Sequence, residues 1–239
     1  MYRITDSCAI ILACFLIYET TYSGGAARAT ESGQGLEQQL HALLVQRAQR
    51  ASDPDFLVRL ADLYLDLGDD GYTEESKRLA AYEEGAKVAR QAIDLQEHNA
   101  RAHYLYAANR GSAAQLKGMM ASAITVQELK RHVNRALELE PDLAPALHMK
   151  GMMLEELPWL LGGNADEALS FLRRALVAAP NYTHARLDLA KAYIKRKNPD
   201  LARKELSTIL QQPLSPDASA GERRHRDEAL RLQNSLRTP

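Results

Sequence analysis

From Leu36 onward the apolar residues recur every three or four positions rather than every two. Leu36, Leu40, Leu43 and Leu44 form one stripe; Phe56, Leu60, Leu63, Tyr64 and Leu67 form another that stops at Gly68. A period near 3.6 puts such side chains on one face of a helix, whereas a half-buried strand needs strict alternation. Helix-start signals precede the stripes: Ser52 or Asp53 ahead of Pro54, and Asn164 ahead of Asp166 and Glu167. The pattern therefore predicts short amphipathic helices joined by polar or glycine-bearing turns.

Three helix endings share a frame: Ala92-Ile93-Asp94-Leu95, Ala136-Leu137-Glu138-Leu139-Glu140-Pro141 and Ala175-Leu176-Val177-Ala178-Ala179-Pro180. Each offers a small alanine where a neighbouring helix comes close, and the last two add a proline that stops the helix. The next helix then places Ala102, Ala146 or Ala185 near its start. This frame resembles the tetratricopeptide repeat, a stack of antiparallel helix pairs with a period of about 34 residues. In the unit from Thr183 to Gln212, Leu189, Ala190, Tyr193, Ala202 and Leu206 occupy the repeat's characteristic places. Ile209 departs from the pattern, standing where alanine is usual.

Earlier units carry insertions. Gly151 and Ala168 lie 17 residues apart, five more than the repeat's spacing, which predicts an enlarged turn at residues 157–163. A second enlarged turn is predicted at residues 111–123 and a third at residues 69–82. The predicted fold is all-α: a right-handed α-α solenoid of about four TPR-like helix pairs, with capping helices at residues 36–51 and 218–236. The helical repeat domain is expected over residues 30–212, and a breaker plus the C-terminal cap over residues 213–239. In the cap, Arg223, Arg224 and Arg226 are expected to face solvent. Ala92, Ala136, Gly151, Ala168, Ala175, Ala190 and Ala202 are the predicted packing positions, where small side chains let backbones meet.

Composition adds a boundary. The 239-residue chain carries 30 Lys and Arg against 31 Asp and Glu, and only 6% of it is aromatic, which argues against an all-β fold and against a nucleic-acid-binding surface. Residues 8–18 are an uncharged apolar run that reaches about 17 Å as a helix, short of the roughly 30 Å of a bilayer core. With the small residues that follow, this reads as a secretory signal peptide or membrane anchor over residues 1–29, cut after Ala27 or Ala29. Both cysteines, Cys8 and Cys14, fall inside it, and Ile11-Leu12-Ala13-Cys14 has the form of a lipidation box. The expected location is thus extracytoplasmic, periplasmic in a bacterium, with a tether through the N-terminus as the alternative to release.

First helices of such repeats line a groove. His103, Tyr104, Tyr106, His148, Tyr182, His184 and Tyr193 fall mainly on these helices, and with Arg186 and with Trp159 from the inserted turn they are the predicted ligand or partner residues; the alternative is that they fill seams between repeats. Arg101, Arg110, Lys117, Lys150, Arg186 and Lys191 would form a basic stripe or an ordinary salted surface, and residues 195–197 a solvated helix end. Neither HExxH nor CxxC occurs and the seven histidines are scattered along the chain, so no metal, no cofactor and no catalysis are expected.

Residues 157–168, LPWLLGGNADEA, further resemble the periplasmic T-component family of tripartite ATP-independent periplasmic (TRAP) transporters. That resemblance implies a periplasmic solute-binding protein and a small organic acid as partners, with Trp159 bordering an apolar cavity or channel. A separate likeness, to eukaryotic helical-repeat regulators of microtubule dynamics, shares the architecture but sits poorly with a secretory leader. The primary expectation is a non-catalytic interaction or assembly module that binds a protein or peptide, or a second copy of itself; the alternative is a transport accessory.

Overall fold

The computed structural model describes residues 26–215 and 218–236. The leader and lipidation box of residues 1–25, and Pro216 of the breaker, lie outside the described residues. Ten α-helices follow one another among those described: α1 (Ala26–Gln46), α2 (Pro54–Asp66), α3 (Glu75–Leu95), α4 (Ala100–Leu116), α5 (Met119–Leu139), α6 (Ala144–Glu156), α7 (Ala165–Ala178), α8 (Thr183–Lys195), α9 (Pro199–Gln211) and α10 (Ala220–Ser235). A π-turn, Leu67–Gly71, follows α2, and a 3-10 turn, Trp159–Leu161, follows α6. None of the described helices is long and apolar enough to cross a membrane.

Caps set the starts. Asp53 accepts the amide of Phe56 at 3.1 Å, and Asn99, Asn164 and Asn198 do the same for Ala102, Glu167 and Leu201. Ser219 and Glu222 form a reciprocal capping box on α10. The pairs α2/α3, α4/α5, α6/α7 and α8/α9 are the four helix pairs, and the predicted packing residues Ala92, Ala136, Gly151, Ala168, Ala175, Ala190 and Ala202 are all buried.

Two predicted turns are shorter than the sequence implied. Helix α4 runs straight through Gly111 to Leu116, and only Lys117 and Gly118 separate it from α5. Gly111 is a packing site instead of a breaker: a β-carbon there would stand 3.3 Å from Leu129 Cδ1 of α5. Most of the insertion at residues 69–82 likewise lengthens α3, which begins at Glu75.

Successive first helices touch one another, α2 with α4, α4 with α6 and α6 with α8, whereas among the described residues no two second helices do. First helices thus make the tight inner layer of a curved stack and second helices fan out on its convex side. Polar ties reinforce the inner layer. Asn109 of α4 donates to the Ala61 carbonyl of α2 at 3.2 Å. Arg101 pairs with Asp62 at 2.7 Å, and Arg196 grips the nearly buried Glu155 of α6 with both terminal nitrogens, the closer at 2.6 Å. Residues 195–197 are therefore not a simple solvated end.

Helix α10 is more than an end cap. It packs on α8 and α9 but also reaches α1 and the Leu67–Gly71 turn, so it joins the last helix pair to the first.

Candidate inner-face recess

Ala229 of α10 is fully buried beside Leu187, Ala190, Leu206 and Ile209, and Leu232 and Leu236 complete that seam. Toward its N-terminus the helix turns polar. Arg224 donates to the Asp69 carbonyl at 3.1 Å and pairs with Asp70 at 2.7 Å, across 154 residues of chain. Gly221 lies so close that a β-carbon would stand 2.8 Å from Asp70 Oδ1. Glu228 pairs with Lys191 of α8 at 2.9 Å, and the His225 ring stacks on that of His184 at 4.3 Å. Arg226 caps the carbonyls of Ile209, Leu210 and Gln212 at the end of α9. Arg224 and Arg226, predicted to face solvent, thus make the joints of the molecule.

Beside the first turns of α10 polar groups gather into a candidate recess. Asp66, Asp69 and His184 keep open surface there, and loss of hydration to the surrounding protein is the leading influence on the titration of each. Loss of hydration, then repulsion from Asp62, Asp69 and Asp70, pushes Asp66 up to about 7. Burial and then the charges of Tyr182, Asp69 and Asp62 raise Tyr104 well above the ordinary tyrosine range. One end of the recess is acidic, the end on which Arg224 sits.

The other end gathers His148 of α6 with His184 and Asp188 of α8. His148 Nε2 is 2.8 Å and His184 Nε2 3.4 Å from the same oxygen, Asp188 Oδ2, while His148 Nδ1 meets the Tyr182 hydroxyl at 3.2 Å. Loss of hydration among the groups around it, only partly offset by the Asp188 charge, lowers His184 to about 3. Burial alone would raise Asp188, but the His148 hydrogen bond and the charges of His184, His148 and Lys191 hold it low. The histidines scattered in sequence therefore include a local cluster of ligand-type groups, contrary to the expectation above. His148 and His184 were legible as residues of the first helices, and His184 and Asp188 share one helix face at four-residue spacing; what the sequence did not show is that His148 meets Asp188, 40 positions on.

The predicted groove residues divide. Tyr104 and His148 border the recess. His103 and Tyr106 instead face α5, where His103 Nδ1 lies 2.9 Å from His132 Nδ1 and Tyr106 packs on the His132 ring and donates to Glu128 at 2.6 Å. Arg186 ties α8 to Glu205 of α9 at 2.7 Å, and the buried Tyr193 accepts from Arg173 of α7 at 2.9 Å. Trp159 is 79% exposed on its turn, with Leu160 at 74% beside it. The supposed basic stripe is internally paired: Arg110 with Glu128, Lys117 with Glu83, Lys150 with Asn134 and Lys191 with Asp188 and Glu228. Asp66, Asp69, Asp70 and His225 were not anticipated beside Tyr182 and His184, because they meet only when the first and last pairs curve together.

Four nested helix pairs, an inner layer of first helices and a helix laid across it define a TPR-type helical-repeat protein. A tetratricopeptide-repeat profile matches residues 160–220. A thermophilic TPR protein of Thermus thermophilus superimposes with a TM-score of 0.60 at 16% identity, over 85% of this chain and 98% of that one, a likeness of fold alone. The chain belongs to the family described as regulator of microtubule dynamics protein 1-3, whose profile matches residues 25–157. Regulator of microtubule dynamics protein 1 of Bos taurus is 31% identical over 189 residues, 72% of this chain and 58% of that protein. Protein 3 of Bos taurus is 28% identical over 200 residues, 76% of this chain and 42% of that protein. The chain thus spans about half the length of these relatives. This membership displaces the resemblance to the TRAP T-component family, and with it the ground for a solute-binding protein and an organic acid as partners. The block LPWLLGGNADEA, which carried that resemblance, begins where the profile match to residues 25–157 ends, so it plays no part in the membership.

Proposed function

We propose that the chain is a non-catalytic protein-interaction module whose inner face receives a basic, amphipathic helical segment of a protein partner. The seat of α10 carries this reading. An arginine-bearing helix lies there with its apolar side on α8 and α9 and with Arg224 on Asp70 at the acidic end of the recess. A partner helix of the same kind fits the same place once α10 lifts. The names of the relatives favour a component of the microtubule array as the partner. An extracytoplasmic setting, or a tether through residues 8–18, rests on that apolar run alone and is tested by weighing the mature N-terminus.

The groove reading is tested with a labelled peptide of residues 219–236 and the full chain. Gly221→Leu drives a side chain into Asp70 and should loosen the resident helix, so the variant is expected to bind the peptide at least tenfold more tightly than the parent. Equal, weak binding by both chains would remove the groove reading. Co-sedimentation with polymerised tubulin, separately, tests the class of partner.

A further inference from the structure

We propose that His148, His184 and Asp188 form a divalent transition-metal site, with zinc as the best-matched ion, that bridges the third and fourth helix pairs at the floor of the recess. The inference is independent of what binds the inner face.

Two imidazoles and one carboxylate are a ligand set suited to zinc, with solvent completing a four-coordinate shell. The three candidate ligand atoms lie within 4.8 Å of one another. A zinc ion with ligands at about 2.0–2.2 Å holds them roughly 3.5 Å apart, so small rotations of the rings suffice. His184 and Asp188 stand one turn apart on α8 and project to the same side. His148 comes from the adjacent first helix, and the ion would replace the contact between its Nε2 and Asp188.

The surroundings match what a metal site requires outside its ligands. The Tyr182 hydroxyl engages His148 Nδ1 at 3.2 Å and aims the opposite nitrogen, Nε2, at the cluster. Lys191 lies 3.4 Å from Asp188 Oδ1, the oxygen that faces away from the histidines, and its own charge is shared with Glu228. Asp188 Oδ2 is the oxygen left for the ion. His148 and Asp188 are buried while the His184 side chain is 47% exposed, so an ion enters and a water ligand stays on the His184 side. His225 stacks on His184, so a metal that fixes the His184 ring also firms the seat of α10.

The test uses the full chain, stripped with chelator and then titrated with zinc by calorimetry and with cobalt by visible absorption. One zinc per chain is expected, with the intense cobalt bands of low coordination. His184→Ala, at a half-exposed position that spares the core, should weaken zinc at least about tenfold, and Tyr182→Phe should weaken it by about tenfold. His98→Ala, at an exposed histidine far from the cluster in sequence, should leave affinity unchanged. Zinc that binds equally well to the His184→Ala chain, or no stoichiometric binding to the parent, would overturn the proposal.

Discussion

Gly151 shows how one missing side chain sets the distance between two helices. A β-carbon there would meet Leu172 Cγ at 2.9 Å and the Ala168 carbonyl at 3.3 Å, so α6 and α7 touch nearly backbone to backbone. Gly151→Leu should lower the free energy of unfolding by about 1–3 kcal/mol through overpacking, measured by urea denaturation; an unchanged midpoint would contradict this contact. His132 makes the matching electrostatic prediction. It is 4% exposed; burial and then the neighbouring His103 lower it to about 4 from an ordinary value near 6.5. Between those limits the unfolded chain binds a proton that the folded chain refuses, so stability is full above pH 6.5 and is lost as pH falls toward 4. Asp66, raised to about 7, works in the opposite sense over pH 4 to 7. The comparison is therefore with His132→Phe, whose melting temperature should fall less between pH 7 and pH 5 than that of the parent.

At the scale of elements, α10 is the helix with the most divided allegiance. Its last turns are held by apolar packing and its first turns by polar contacts, with the capping box of Ser219 and Glu222 securing the start. Ser219→Ala should cost about 1 kcal/mol and, read by hydrogen exchange, should speed exchange in the first turns of α10 more than in the last. Equal acceleration along the helix would mean that it opens as one piece. The lengthened α4 and α5 teach a different lesson about elements. Gly111 read as a turn because glycine is a poor helix former, yet the space it leaves for Leu129 outweighs that propensity within a helix packed on both sides.

Across the whole molecule, the contact of α10 with α1 and the Leu67–Gly71 turn converts an open stack into one whose ends communicate. Repeat arrays ordinarily couple only neighbouring units. Here Gly221→Leu should raise hydrogen exchange not only in α10 but in the Leu67–Gly71 turn and the adjoining part of α1, while α6 and α7 keep their protection. Exchange confined to α10 would show that the end-to-end contact contributes nothing to the first pair. The same curvature explains why the site was only partly legible. Tyr104, His148 and His184 could be assigned to the inner face from their place on first helices, but Asp70 and His225 join them only through the summed rotation of four pairs.

The sequence by itself determined the helices, their four pairs and the small residues at which they nest, because periodicity, caps and side-chain volume act over a few residues. It could not tell an enlarged turn from a lengthened helix, since glycine serves both a bend and a close approach. Nor could it reveal that α10 crosses the inner face or that His148 meets Asp188. Those contacts depend on the angle accumulated from pair to pair, a quantity set by all the seams together, so only the tertiary structure decided where the charges and imidazoles converge.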